Sequence, residues 1–542
     1  MLSTLYVISC ASALAQTNAV PLVTIDSGNI SGTHFGSSAQ QVAFLGIPYA
    51  APPIGERRWK PPALVENWNG LRKADAFAPA CPQPADSMRG QAAESKELSQ
   101  SLPYYKEFRT DENCLYLNVW TTNLAGKQKL PVMVWIHGGG GFSGNSWIAL
   151  GPALAPRGVV VVSLGFRLGA LGHLAHPLLT AESPHHVSGN YGTLDQVAAL
   201  QWIQHNIAAF GGDPGNVTIF GGSDGAQKVC LLMASPLARE LFHHAILESG
   251  VCSNIFIPEL KRSIRYEGNE KGGTSEDTGL TLARNLKVTA GPNTLEELRT
   301  KTAEEIVQAS SDLDFFSTPT VDGWVLPEQP AITFREGRQA RVPVLVGSTN
   351  DEMASLYSPP DDPTTIASYK VWLNGARFSP NADDVFRAYP ASTDADVPTT
   401  FMTLETDDFA AGAYFLARDM AHIGQKAYLY YFTYPSKGKM AGHGATHVAE
   451  QKFLMGDFRK SSWGERNEED RKLTETVSKY WTRFAATGDP NAPGIPKWPI
   501  YIEETDLCLE IGHEIRSRPV PHTEKYKLID KSLSARIAEL QR

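Results

Sequence analysis

Short runs of apolar and β-branched residues that end at glycine or proline recur along this chain. Three lie at residues 132–136, 159–163 and 217–220, and a fourth lies at residues 342–346. Runs of this length are typical of strands buried on both faces of a parallel sheet. Between the second and third runs, residues 195–210 have the apolar periodicity of an α-helix. The alternation predicts an α/β fold with a mostly parallel central sheet and helices on both faces.

The rest of the chain shows no sign of a second unit. No internal repeat and no linker rich in proline or serine divides its 542 residues. We therefore expect one domain over residues 20–542, since α/β enzymes of this length often fold as a unit. Residues 82–113 and 355–425 are predicted to be long insertions that form a cap above the sheet.

The first fifteen residues are apolar and uncharged, and are too short to span a bilayer by themselves. Ala13-Leu14-Ala15 fits the small-x-small pattern of a signal-peptidase site. We expect a signal peptide at residues 1–15, cut after Ala15 or after Ala19, and hence a secreted protein. A buried first strand is the alternative, because no basic residue lies near Met1.

Net charge argues against two classes of partner. The chain carries a formal charge of −9 and has a sequence pI of about 5.9. Nucleic acids and anionic membrane surfaces bind proteins through a basic face, so neither is expected as a partner. No His/Cys cluster has the spacing of metal ligands, and we predict neither a metal nor another cofactor. The sequence carries no signal about oligomeric state.

Gly221-Gly222-Ser223-Asp224-Gly225 is a G-x-S-x-G motif between the predicted strand 217–220 and a helical pattern. This context predicts a nucleophile elbow, a sharp strand-to-helix turn that exposes a serine above an α/β sheet. Ser223 is therefore the predicted nucleophile. The alternative is a glycine-rich turn without chemistry.

A second glycine-rich segment, His137-Gly138-Gly139-Gly140-Gly141, follows the strand at 132–136. Glycines let backbone N–H groups approach one point without side chains in the way. An oxyanion hole needs such donors about 3 Å from the developing negative charge. We predict that the N–H groups of Gly139, Gly140 and Asp224 form this hole; a flexible loop is the alternative.

With these motifs in place, the chain resembles the type-B carboxylesterase/cholinesterase family. Further segments that carry the resemblance lie at residues 46–50, 112–118, 190–196, 210–214 and 484–491. The resemblance implies an α/β-hydrolase fold. It also implies a serine hydrolase that acts on small-molecule carboxylic esters.

The same resemblance implies the other two members of a catalytic triad. The family's acid follows a strand in a D-E-G context, and here Asn350-Asp351-Glu352 follows the strand at 342–346. The family's histidine lies in a G-x-x-H-x-x-E context, which His447 matches. His443 is the competing candidate, because it also lies in a glycine-flanked loop. The order Ser, Glu, His along the chain is that of α/β-hydrolases. His447 would act as general base, oriented by Glu352, and the reaction would pass through an acyl-enzyme.

Loss of the signal peptide leaves an odd number of cysteines: Cys81, Cys114, Cys230, Cys252 and Cys508. At least one is then free or paired between chains. Cys81 and Cys114 flank a polar stretch, and a bridge between them suits an oxidising compartment. Cys230 follows the nucleophile motif in an apolar helix and is expected to be a buried free thiol.

Two residues beside the nucleophile depart from the family pattern. The family has Glu before the serine and Ala after it, where this chain has Gly222 and Asp224. Asp224 and Lys228 are spaced i, i+4 and are expected to pair. Residues 82–113 contain no Trp, the residue over which the family's cholinesterases bind a cation. They also lack the apolar stripe of a lipase lid.

We therefore expect a general secreted carboxylesterase. Three alternatives remain: a specialised detoxifying or secondary-metabolite esterase, a lipase, and a non-catalytic cholinesterase-like binding protein. The last is the least consistent with the sequence, because members of that kind typically lack a triad residue.

Overall fold

The computed structural model describes residues 19–100, 102, 107–124, 126, 128–147, 150–266, 269–311, 318–359, 361–379, 381–455 and 466–542. The predicted signal peptide lies outside these residues. Among the helices of the described ranges, none combines the length and the apolarity that crossing a bilayer requires.

The strands of the described residues are short, apart from one of eleven residues. They are β1 Leu22–Ile25, β2 Gly28–Ser31, β3 Thr33–His34, β4 Val42–Pro48, β5 Leu71–Lys73, β6 Tyr116–Thr121, β7 Leu130–Ile136, β8 Val160–Leu164, β9 Gly212–Gly222, β10 His244–Glu248, β11 Ile264–Tyr266, β12 Asn269–Gly273, β13 Val344–Thr349, β14 Ala427–Phe432, β15 Leu507–Ile511 and β16 Ile515–Pro519.

Eleven of these strands form one sheet in the order β16-β15-β14-β13-β10-β9-β7-β8-β6-β4-β3. Within the run β15-β14-β13-β10-β9-β7-β8, each strand is parallel to the next. The pairs at both ends of the sheet are antiparallel. The prediction of a mostly parallel central sheet is confirmed.

Helices surround this sheet. They are α1 Ala85–Leu98, α2 Leu150–Leu154, α3 Gly169–His173, α4 Pro177–Glu182, α5 Tyr191–Asn206, α6 Asp224–Ala234, α7 Ser275–Asn285, α8 Thr294–Thr300, α9 Ala303–Ser311, α10 Pro330–Arg335, α11 Ile366–Leu373, α12 Ala382–Ala388, α13 Val397–His422, α14 Gln451–Leu454, α15 Glu468–Thr487 and α16 Thr523–Leu540.

Both faces of the sheet are apolar and buried. Successive side chains of a strand point to opposite faces, so each central strand contributes to two cores. In β7, Val132, Val134 and Ile136 belong to one core, and Met133 and Trp135 to another. Side chains from α5, α6, α13 and α16 complete the first core. Side chains from α2, α14 and α15 complete the second. Helices therefore cover both faces, as in the predicted α/β-hydrolase fold.

One of the two predicted insertions contributes to the core. Helix α13, the last helix within residues 355–425, packs against β13 and β14, and most of its side chains are buried. Its apolar residues recur on more than one side, which a cap helix exposed to solvent would not need. The expectation that all of this segment decorates the top of the sheet is therefore wrong for α13.

Four cysteines of the described residues form two disulfide bonds. Cys81 is bonded to Cys114, and Cys230 is bonded to Cys252. The expectation that Cys230 is a free thiol is therefore wrong. The reason is topological: β9 and β10 are parallel neighbours, so α6, which follows β9, lies beside the segment that follows β10. Cys508 is free and buried.

We predict that peptide mapping under non-reducing conditions will find the bonds Cys81–Cys114 and Cys230–Cys252, with Cys508 as a free thiol. Burial raises the pKa of the Cys508 thiol to about 12, and only 1% of the residue is exposed. The thiolate is the reactive form, so Cys508 should resist a maleimide in the native protein and react after unfolding. Cys10 should add a second thiol wherever the N-terminal segment is retained. Alkylation of native Cys230 would contradict this pairing.

Candidate active site

The predicted catalytic segments follow the carboxyl ends of neighbouring parallel strands. Gly221 of β9 lies opposite Ile136 of β7 and Leu247 of β10. In an open α/β sheet, ligands bind outside the carboxyl ends of the strands. The loops after β7, β9 and β10 therefore begin at one level, on the edge of the sheet where a binding site is expected.

Ser223 occupies the turn between β9 and α6. Its backbone angles are φ 59° and ψ −132°, a conformation that a non-glycine residue seldom adopts. The Ser223 N–H donates to the carbonyl of Glu248 at the end of β10 (2.8 Å). The carbonyl of Ser223 accepts from the N–H groups of Ala226 (2.9 Å) and Gln227 (3.1 Å) in the first turn of α6. These bonds hold the turn that the motif predicts.

Glu352 and His447 are in direct contact. His447 Nδ1 is 2.5 Å from one carboxylate oxygen of Glu352, and the Thr349 N–H donates to the other oxygen (2.7 Å). Glu352 is fully buried, and the Phe409 ring packs against the imidazole in a T-shaped contact, with 5.5 Å between ring centroids. The other ring nitrogen, Nε2, is thus left for a partner on the far side of the imidazole.

The loop of Glu352 and the loop of His447 are bonded to each other. The Ala445 N–H donates to the side-chain oxygen of Asn350 (2.7 Å), and the Asp351 N–H donates to the carbonyl of Ala445 (3.0 Å). The Gly444 N–H donates to the carboxylate of Asp351 (3.0 Å). These bonds place His447 relative to its acid.

His443, the competing candidate, lies elsewhere in the loop. Its ring is half-exposed and is 3.5 Å from the carboxylate of Asp351, not in contact with Glu352. The structure therefore brings together the acid and the histidine that the sequence motif selects.

Ser223 and His447 belong to adjoining segments. A side chain added at Gly222 would meet Val448 Cγ1 at 3.2 Å, so the residues before the serine and after the histidine are neighbours. Among the described residues, no hydrogen bond joins Ser223 Oγ to the imidazole. Catalytic hydrogen bonds are often long in the absence of substrate and shorten when it binds.

The glycine loop after β7 lies against the turn at Ser223. A Cβ at Gly138 would fall 3.2 Å from Ser223 Cβ. The N–H groups of Gly139, Gly140 and Asp224 make no hydrogen bond to any other described residue. These N–H groups are therefore free to donate to a bound oxyanion, as an oxyanion hole requires.

Asp224 forms the expected ion pair with Lys228. The Lys228 side chain is 2% exposed, and its ammonium lies 5.6 Å from the centroid of the Phe166 ring. The His137 ring stacks on the same phenyl ring. Burial, and to a smaller degree the charge of Lys228, lowers the pKa of His137 to about 4, so this imidazole is neutral at pH 7. The Asp224 carboxylate thus neutralises the charge of a buried ammonium group.

Two further buried carboxylates lie beside the site. Tyr430 and Ser249 donate to one oxygen of Glu450, and the Trp481 indole donates to one oxygen of Glu248. Burial and the negative charge of Glu352 raise the pKa of Glu450 to about 7. Burial and the charge of Glu450 raise the pKa of Glu248 well above its usual value. The carboxyl groups near the serine therefore resist simultaneous ionisation.

The space beside Gly222 is filled by Gln451. A Cβ at Gly222 would fall 1.5 Å from the amide nitrogen of Gln451. The Gln451 amide nitrogen is buried, and the amide acts on the carboxyl group of Glu248, where it opposes the rise in pKa that burial causes. An amide at the start of α14, four residues after His447, thus occupies the region into which the family's Glu at position 222 would project.

The sequence did not single out Gln451 or Glu248. Neither lies in a motif, and their proximity to Ser223 results from the pairing of distant segments. The only available signal was that Glu248 directly follows the apolar residues 245–247 of β10. In the described ranges, no group of three or more His, Cys, Asp and Glu side chains has an arrangement that could hold a metal ion.

Comparisons with known proteins identify relatives over most of the chain. The family model described as "Carboxylesterase family" matches residues 19–529. The chain is 37% identical to fumonisin B1 esterase of Sphingopyxis macrogoltabida, over 90% of this chain and 86% of that protein. It is 33% identical to para-nitrobenzyl esterase of Bacillus subtilis (strain 168), over 93% and 97%. A solved PNB esterase structure superposes with a TM-score of 0.79 at 31% identity, covering 94% of this chain and 99% of that one.

We predict that Gly222 and Gln451 are energetically coupled. Gly222→Ala should lower the free energy of unfolding by about 1–3 kcal/mol, because the new methyl group overlaps the buried amide. In a Gln451→Ala background the same substitution should have little effect, since the space is free. Urea unfolding of the two single variants and the double variant measures the coupling. Additive effects would contradict the contact.

We also predict that Asp224→Ala destabilises the protein by about 3–5 kcal/mol, because it leaves the buried Lys228 ammonium without its partner. The double variant Asp224→Ala/Lys228→Met should regain most of this loss. Thermal and urea unfolding provide the measurement, and Lys472→Met, at an exposed helix position, is the control. If the double variant were as unstable as Asp224→Ala alone, the loss of stability would not come from the unpaired Lys228 ammonium.

Proposed function

The chain belongs to the carboxylesterase family and is a carboxylic ester hydrolase, and from this premise we propose that it hydrolyses esters through an acyl-enzyme on Ser223. In this proposal Ser223, His447 and Glu352 form the catalytic triad. The observation that carries it is the contact of His447 with a buried Glu352, on a loop that adjoins the strained turn at Ser223.

The reaction begins with proton transfer from Ser223 to His447 Nε2 as the serine oxygen attacks the ester carbonyl. Glu352 keeps the imidazole in the tautomer protonated at Nδ1 and offsets the charge that the ring acquires. The N–H groups of Gly139, Gly140 and Asp224 stabilise the oxyanion. The protonated imidazole then gives its proton to the leaving alcohol. Water, deprotonated by the same imidazole, releases the acid and restores Ser223.

The Asp224 side chain has no part in this scheme. Its backbone N–H is the proposed donor, while its carboxylate is bound to Lys228. In the ion pair, the Lys228 ammonium offsets the negative charge of the Asp224 carboxylate. An unpaired carboxylate beside the oxyanion would raise the activation barrier of ester hydrolysis by charge repulsion. In folded enzyme, loss of this side chain should therefore change kcat/KM for neutral esters by less than about tenfold.

We propose small, soluble esters as the substrate class. A specialised esterase is the second candidate, favoured by the identity to fumonisin B1 esterase and by the unusual residues Gly222, Asp224 and Gln451 around the serine. A p-nitrophenyl ester series of increasing acyl length, run beside fumonisin B1, separates the two. A narrow optimum with fumonisin B1 far above the simple esters would favour the specialised enzyme.

We further propose that the protein is secreted and that residues 20–542 form one catalytic domain. Two disulfides in the described residues support an oxidising compartment. Strands from near both chain ends, β3 and β16, belong to the same sheet, which supports a single domain.

We predict that Ser223→Ala and His447→Ala each lower kcat for p-nitrophenyl esters by several orders of magnitude, because triad members act as a unit. His443→Ala is the matched control and should retain most activity, since its ring faces Asp351 and solvent. Each variant should unfold at nearly the wild-type temperature.

Mass spectrometry after organophosphate treatment should place the adduct on Ser223. An adduct on another serine would overturn the assignment of the nucleophile. An inactive His443→Ala beside an active His447→Ala would overturn the assignment of the base.

A further inference from the structure

The carbonyl groups of Gly138 and Gly139 in the glycine loop are both held by hydrogen bonds within the loop. The Gly138 carbonyl lies 2.9 Å from His137 Nδ1. The Gly139 carbonyl accepts from the N–H (3.1 Å) and the hydroxyl (2.8 Å) of Ser143. In a trans peptide unit the carbonyl and the following N–H point in opposite directions. These anchors therefore set the orientation of the N–H groups of Gly139 and Gly140.

A glutamine from another segment binds the end of this loop. Gln83 donates from Nε2 to the carbonyl of Gly144 (3.1 Å), and the Gly144 N–H donates to Gln83 Oε1 (3.1 Å). Gln83 Nε2 also donates to the carbonyl of Cys81 (3.0 Å), and the Gln83 residue is 4% exposed. One buried amide thus satisfies both backbone groups of Gly144.

Gly144 connects Gln83 to the peptide units that carry the N–H groups of Gly139 and Gly140. Its φ is 114°, and a Cβ there would fall 2.2 Å from His137 Nδ1 and 2.4 Å from the carbonyl of Gly138. The residue before it, Ser143, anchors the carbonyl of Gly139. A displacement of Gly144 would therefore disturb both anchors and turn the two peptide units.

Gln83 is itself tied to the central sheet. It lies two residues after Cys81, which is bonded to Cys114, and Cys114 lies two residues before β6. The disulfide thus connects the base of the segment that carries Gln83 to a fixed point of the fold.

We propose that Gln83, mounted on the Cys81–Cys114 disulfide, is a positioning residue of the oxyanion hole. It acts by holding Gly144, and through Gly144 the peptide units that present the N–H groups of Gly139 and Gly140. This inference rests on the proposed function. Donors of this kind bind the charged transition state more strongly than the neutral ester carbonyl, so Gln83 should affect kcat more than KM.

The test is Gln83→Leu, which keeps the approximate size of the side chain and removes its hydrogen bonds. Deleting a whole oxyanion donor lowers kcat by about 10²–10³, so misplacing two donors should lower it by at least about tenfold. KM for p-nitrophenyl acetate should stay within about twofold. Affinity for an aryl trifluoromethyl ketone, which forms a charged adduct with a nucleophilic serine, should fall by the same factor as kcat.

Two further variants separate positioning from stability. Gln83→Glu keeps the acceptor for the Gly144 N–H, and should retain more of kcat than Gln83→Leu. It also serves as the test variant if Gln83→Leu does not fold. Gln339→Leu removes another buried amide, one that donates to the sulfur of Met420, and should lower the unfolding temperature while kcat is unchanged.

The disulfide gives an independent arm. Cys81→Ser/Cys114→Ser should also lower kcat and ketone affinity together, and adding Gln83→Leu should cause little further loss, because both changes release the same loop. If the losses of kcat in the combined variant were additive, the disulfide would not act by holding Gln83 in place. Folded Gln83→Leu with unchanged kcat, or with a change in KM alone, would overturn the proposal. Wild-type protein without Ser223-dependent turnover would instead overturn the proposed function.

Discussion

The parallel pairing of β9 with β7 and β10 determines where the candidate catalytic groups lie. The paired segments of these strands, residues 132–136, 217–222 and 245–248, are buried, so a shift of one residue would turn their side chains to the wrong core. The strands consequently end together, and the loops that follow them start side by side. The glycine loop, the turn at Ser223 and the segment after β10 meet for this reason. The loops of Glu352 and His447 follow β13 and β14 on the same edge.

The turn at Ser223 belongs to a strained group of residues. Ser223, Ser249 and Val448 have φ values of 59°, 51° and 53°, in the left-handed region that non-glycine residues seldom occupy. Each such residue costs on the order of 1–3 kcal/mol. Hydrogen bonds from the N–H of Ser223 to β10 and from the N–H of Ser249 to β13 oppose this strain. The rigid sheet thus supports a backbone that would relax if the strands separated.

What the sequence predicts well is local. The run at residues 217–220 lies inside β9, and the elbow is recognisable because strand, glycines and serine are contiguous. The acid and histidine contexts are local patterns as well, and they select the two side chains that the fold places in contact. The bond of Cys230 to Cys252 and the contact of Gln83 with Gly144 depend instead on which strands become neighbours. No periodicity or spacing in one sequence encodes those distances, and so they were missed or mispredicted.

The charges around the serine explain why an amide is suited to the place beside Gly222. Glu248, Glu352 and Glu450 are already fully buried within one region, and the raised pKa values of Glu248 and Glu450 show that this region disfavours further negative charge. A carboxylate at position 222 would add to that repulsion in a poorly solvated site. The Gln451 amide carries no charge, and its proximity opposes the rise in the pKa of Glu248, as the Trp481 indole does more strongly. Gly222 and Gln451 together therefore put a neutral amide where a glutamate at position 222 would put a further carboxylate.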